Sequence, residues 1–177
     1  GEAVVAWGEE KTYVVVPDQN FDQELSFSVG GVELEVKQLG TAHAPGDSIM
    51  MVKDYGVLFG GDVIYKGRVP FLDSPETDID RWLKGLETLS RLQPPPRFVI
   101  PGHGTPSDDV RRAVSTTRDY IDYVREAMRQ AAADFVPFEE AYQATDWSAY
   151  ENMPAFDASN RGNAYRIYLE MEAESFN

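Results

Sequence analysis

The chain contains two histidines, His43 and His103, and both sit among small, turn-forming residues. His43 lies in Gly40-Thr41-Ala42-His43-Ala44-Pro45-Gly46-Asp47 and His103 in Pro101-Gly102-His103-Gly104. Between them, Gly60-Gly61-Asp62 follows the apolar run Val57-Leu58-Phe59. Two imidazoles and a carboxylate are a common ligand set for zinc, iron or manganese. Loops at strand ends are also where open sheets place their chemistry. Each residue has an ordinary alternative: a lone histidine is usually just hydrogen-bonded, and an aspartate after two glycines is usually a turn residue. On residue type and position alone, both readings stay open.

The elements that would carry these residues follow from hydrophobic periodicity. Tyr13-Val14-Val15-Val16 reads as a short strand ended by Pro17. Leu25, Phe27 and Val29 alternate with polar residues, as do Val32, Leu34 and Val36, and Gly30-Gly31 between them suits a tight hairpin. Residues 48–53 and 57–60 predict a second strand pair around Asp54-Tyr55-Gly56. The unbroken Val57-Leu58-Phe59 run predicts a strand buried on both faces. The period then changes. Ile79, Trp82, Leu83, Leu86, Leu89 and Leu92 form a helical stripe, with a start at Ser74-Pro75 or Thr77 and a stop at Pro94-Pro95-Pro96. Phe98-Val99-Ile100 predicts a short buried strand ending at Pro101-Gly102-His103-Gly104. A long helix opens at Thr105-Pro106 with the stripe Val110, Val114, Ile121, Val124 and Met128. A short helix follows Pro137, and a last one spans about residues 157–174 with Ala164, Ile167, Tyr168 and Met171 on one face. The expected fold class is α/β (α+β): one mixed β-sheet with helices packed on one side, plus C-terminal helices.

Composition narrows the function classes. With 16 Lys+Arg against 30 Asp+Glu, the net charge is −14. Such a surface repels phosphate backbones and anionic lipid, so neither nucleic acid nor membrane is an expected partner. It does not oppose a metal cation. Cysteine is absent, which excludes disulfides, thiolate zinc sites and cysteine catalysis but leaves the compartment open. No apolar run approaches a membrane span and no signal peptide is visible, so a soluble cytoplasmic or periplasmic protein is expected.

Three segments, in this order and spacing, resemble the second half of the metallo-β-lactamase-fold hydrolases. Residues 41–47 resemble that superfamily's third-histidine loop, Leu58-Phe59-Gly60-Gly61-Asp62 its bridging-aspartate strand, and Val99-Ile100-Pro101-Gly102-His103-Gly104 its final histidine loop. The likeness covers about residues 13–110. The tail, with Asn160-Arg161-Gly162-Asn163-Ala164-Tyr165 and Tyr168-Leu169-Glu170, is more loosely similar to a subgroup associated with sulfur oxidation and quinoprotein-linked hydrolases. The resemblance implies two zinc ions per intact site, with iron or manganese as alternatives. His43 would complete the first metal's histidine set, Asp62 would bridge both metals as the catalytic carboxylate, and His103 would ligate the second. A bridging carboxylate offsets repulsion between two cations, and metal-bound hydroxide would then attack a small-molecule ester, thioester, lactone or amide.

The superfamily's His-x-His-x-Asp-His motif has no counterpart here. The first methionine is Met50, and the length suits half of the αββα sandwich. The expectation is therefore half of a hydrolase: residues 1–135 as the C-terminal half of the fold and 136–177 as a helical extension packed on it. Neither His43 with Asp62 nor Asp62 with His103 reaches three protein ligands, so the isolated chain is expected to bind metal weakly or not at all and to be inactive. Its partner would be the missing N-terminal half or a second copy of this chain. The alternative is a metal-free structural half-domain that complements a partner chain.

Other candidates rank lower. Asp47 is read as a turn cap more than an orienter of His43, and Trp82, Tyr142, Trp147, Tyr150, Phe156 and Tyr165 as core. Lys66 and Arg68 are open between solvated charges and contacts to an acidic substrate group. Ser48 lacks a nucleophile-elbow context.

Overall fold

The computed structural model describes residues 13–175. Five strands form one sheet in the order β1-β2-β3-β4-β5. Strands β1 (Glu24–Val29), β2 (Val32–Gly40), β3 (Asp47–Val52) and β4 (Val57–Tyr65) pair antiparallel. Strand β5 (Phe98–His103) pairs parallel to β4. A parallel pair needs a crossover, and helix α1 (Ile79–Ser90) supplies it. Helices α2 (Val110–Ala133), α3 (Phe138–Ala144) and α4 (Phe156–Ser175) follow. The fold is the expected mixed sheet with helices on one side.

The hairpin turns where two glycines stand, at Gly30 and Gly31, both with positive φ. Helix α1 starts later than Thr77, because Asp78 caps it: its carboxylate accepts from the Arg81 N–H at 2.9 Å. Asp109 caps α2 in the same way, accepting from the Arg112 N–H at 3.0 Å. The predicted stripes are the buried faces. Trp82, Leu86 and Leu89 of α1, Val114, Ile121, Val124 and Met128 of α2, and Ala164, Ile167, Tyr168 and Met171 of α4 all lie in the core.

Two strand expectations need correction. Residues 13–23 form no strand, and Tyr13 to Val16 are exposed; a β-prone run with no neighbouring strand among the described residues lacks partners there for its backbone hydrogen bonds. The Val57-Leu58-Phe59 run is buried on one face only. Leu58 is fully buried against the helices, whereas Phe59 is 37% exposed. The same holds in β5, where Val99 is buried and Phe98 is 45% exposed. Cross-strand register puts Val36, Met50, Phe59 and Ile100 in one row, and Leu34, Val52, Val57 and Phe98 in the next. These rows line the helix-free face, and none of their residues is buried.

Candidate metal centre

All three predicted residues lie at one rim of the sheet. His43 follows β2, Asp62 lies in β4, and His103 ends β5. Asp62 sits between the two rings: its Oδ2 is 3.8 Å from His43 Nε2 and its Oδ1 is 3.5 Å from His103 Nε2. One carboxylate oxygen thus faces each imidazole. Among the described residues, no group of three or more His, Asp or Glu side chains converges as a metal-holding cluster.

Local chemistry sets each aim. The His43 loop is folded by Asp47, whose carboxylate accepts from the Ala44 N–H at 3.0 Å, so the turn-cap reading of Asp47 matches its contact. The Thr77 hydroxyl donates to the His43 carbonyl at 2.9 Å. His43 Nδ1 is 3.1 Å from the Phe71 carbonyl. A carbonyl only accepts, so Nδ1 carries a proton, and in the neutral ring Nε2 keeps its lone pair toward Asp62. A lone pair and a carboxylate oxygen facing each other repel unless a cation lies between them. That end of the site fits a metal ion.

The His103 end fits less well. Arg68 Nη1 lies 3.3 Å from His103 Nδ1. A guanidinium only donates, so this contact puts the ring proton on Nε2, the atom facing Asp62. His103 then stands as a hydrogen-bond donor to the carboxylate and not as a ligand. Arg68 Nε is buried without a hydrogen-bond partner, so this pose leaves the guanidinium under-satisfied. Turning it away would free Nδ1 to take the proton and Nε2 to ligate.

Glycines allow the two strand ends to meet. A Cβ on Gly102 would lie 2.2 Å from Asp62 Oδ1, and one on Gly104, where φ is +108°, would lie 2.0 Å from the Lys66 carbonyl oxygen. The Lys66 ammonium donates to Thr105 Oγ1 and the Pro106 carbonyl, both at 3.3 Å. Lys66 thus ties down the His103 loop.

Two further residues escaped the sequence reading. Tyr65 is buried, stacks on His103 with ring centroids 4.9 Å apart, and meets His43 edge-on at 6.2 Å. Burial, reinforced by the Asp62 charge, pushes its phenol well above the ordinary tyrosine range. Thr117 of α2 pins Tyr65: its hydroxyl accepts from the Tyr65 N–H at 2.8 Å and donates to the Tyr65 carbonyl at 3.0 Å. Trp82 is core, as read, and its indole N–H donates to the Val63 carbonyl at 2.9 Å while its ring packs 5.5 Å from His43. A groove of about 300 Å³ lined by Lys37, Lys53 and residues 93–96 includes none of the three site residues.

The profile of the Metallo-beta-lactamase superfamily matches residues 2–103, a span that includes all three. The chain belongs to the metallo-beta-lactamase superfamily. Its relatives include Metallo-beta-lactamase type 2 of Bacteroides fragilis, 29% identical over 90 residues, which are 50% of this chain and 36% of that protein. A metallo-beta-lactamase from Pontibacter korlensis superposes with a TM-score of 0.55 at 24% identity, covering 66% of this chain and 53% of that one. The stereoselective inverting sec-alkylsulfatase Pisa1 from Pseudomonas sp. superposes with a TM-score of 0.71 at 17% identity, covering 89% of this chain and 27% of that one. At these identities the structural likenesses show the fold alone. The alkylsulfatase match leaves about a tenth of the chain outside, so it takes in part of the C-terminal helices as well as the sheet. The chain spans about a third to a half of the length of the metallo-beta-lactamase relatives it matches. Among the described residues, no helix is long and apolar enough to cross a membrane.

Proposed function

We propose that the chain supplies half of the active site of a metal-dependent hydrolase, with His43, Asp62 and His103 as its metal-facing residues. One observation carries this reading: a single carboxylate, Asp62, lies between two imidazole Nε2 atoms delivered by different strands. Superfamily membership supports a hydrolase-type parent protein. Bound zinc, or iron or manganese, would supply a water activated for attack on an ester, thioester, lactone or amide carbonyl. His43 and Asp62 would hold the first ion. Asp62 would reach the second, with His103 once Arg68 has turned from Nδ1. Tyr65 backs both rings and excludes water behind them. The remaining ligands would come from the other half of the sandwich, and the open row of Val36, Met50, Phe59 and Ile100 is the face proposed to take it. Residues 136–177 are treated as a helical extension whose α4 packs on α2.

The Arg68–His103 contact favours the second reading, a metal-free half-domain that complements another chain. A panel of esters, thioesters, lactones, amides and, given the alkylsulfatase likeness, alkyl sulfates distinguishes the two when assayed, with and without added zinc, on the protein bearing both halves of the fold. Zinc-dependent turnover that disappears in Asp62→Asn supports the hydrolase. Zinc-independent behaviour of both proteins on every class supports the structural reading.

A further inference from the structure

The loop joining β4 to α1, residues 66–78, supplies the carbonyl that orients His43. That loop has no regular structure of its own, and the C-terminal part of the chain anchors it at several points. The Val69 N–H donates to the Pro154 carbonyl at 3.0 Å. Asn163 of α4 is fully buried and grips both neighbours of Phe71. Its Oδ1 accepts from the Leu72 N–H at 2.7 Å, and its Nδ2 donates to the Pro70 carbonyl at 2.7 Å. The same Nδ2 donates to the Tyr120 hydroxyl at 2.9 Å, and that hydroxyl donates to buried Asn160 at 2.8 Å. Further along, Arg166 donates to the Ser74 and Thr77 carbonyls at 2.8 and 2.9 Å. The helix comes so close that a Cβ on Gly162 would lie 2.7 Å from Asp73 Oδ2.

Residues 70 and 72 are thus fixed, and the peptide between them can turn little. Phe71 meets the His43 ring edge-on at 6.4 Å but is 42% exposed, so its own packing holds that geometry only in part. We propose that Asn163 is a positioning residue for His43. By clamping Pro70 and Leu72, it points the Phe71 carbonyl at Nδ1, places the ring proton there, and leaves the Nε2 lone pair facing Asp62. Outer partners of this kind set the tautomer and basicity of ligating histidines. The proposal rests on His43 as a metal ligand for its consequence, but the tautomer itself needs no metal.

The test is nitrogen-15 NMR of histidine-labelled protein after metal stripping, with His43→Gln assigning the signal. In the unaltered protein, His43 is expected in the Nδ1–H form; finding the proton on Nε2 overturns the proposal without any variant. Asn163→Leu is expected to remove Nδ1–H as the dominant His43 form, while His103 keeps its signals and reports an intact fold. Should that variant unfold, Asn163→Asp retains the acceptor for the Leu72 N–H and loses the donor to Pro70, and it must show the same change. A folded variant at position 163 with an unchanged His43 tautomer overturns the proposal. Where zinc binds, the folded variant should bind it about 10- to 100-fold more weakly. If zinc binds neither the unaltered protein nor the variant with both halves of the fold present, while the tautomer shifts, the metal reading fails and the positioning role stands.

Discussion

At the residue scale, the site depends on what Asp62, Gly104 and Tyr65 can each do in their surroundings. Gly104→Ala would press a Cβ into the Lys66 carbonyl at a positive φ. It should cost about 2 kcal/mol or more and loosen the His103 loop, measured by denaturant unfolding. A cost near zero would mean that the strand ends are not this close. Tyr65 and Tyr120 are both buried, and burial raises both phenols. The unfolded chain releases these protons first, near the ordinary value of about 10. Their contribution is therefore fully present below that pH and lost as pH rises beyond it. Melting temperature should hold to about pH 9 and then fall. Tyr65→Phe should make the alkaline fall shallower, followed by thermal melts alongside phenolate absorbance. An unchanged alkaline slope in Tyr65→Phe would assign the loss to other groups.

At the element scale, α1 and α2 hold the sheet from behind, and the capped start of α1 lies beside the site. Asp78 caps α1, and its backbone N–H donates to the Ala42 carbonyl at 3.0 Å, beside His43. Asp78→Ala should cost about 1 kcal/mol, seen as a lower midpoint in urea. That His43, Asp62 and His103 come together was legible in the sequence because both histidines stand in glycine- and proline-containing loops and Asp62 follows Gly60-Gly61 after an apolar run. The helical stripes were legible because a 3.6-residue period survives without tertiary context. Tyr65, Thr117 and Asn163 were not, because their roles come from contacts between elements far apart in sequence. Asn163 lies among the apolar positions of α4 and looks, in one dimension, like a break in the stripe. The double-sided burial expected of Val57-Leu58-Phe59 failed for a related reason: an apolar run reports what a strand can cover, not what is present to cover it.

At the scale of the whole molecule, one sheet face is packed by helices and the other is apolar and, among the described residues, uncovered. Phe27, Val29, Phe59 and Phe98 are each more than a third exposed there. Exposed apolar surface of this extent is characteristic of interfaces, and the partner proposed above would cover it. The isolated chain should therefore self-associate with rising concentration, and Phe59→Lys should shift it toward monomer in light scattering. A chain that stays monomeric at high concentration would argue that this face needs no partner. The net charge of −14 opposes association through the remaining surface and weakens with salt, so added salt should strengthen self-association.

His43, Asp62 and His103 are proposed to form one side of a shared cation cage. Zinc stoichiometry, measured on the protein bearing both halves of the fold and on its Asp62→Asn variant, tests it most directly. Two zinc ions per chain, with at least one lost in the folded variant, is the predicted result. Equal zinc content in both proteins would contradict it.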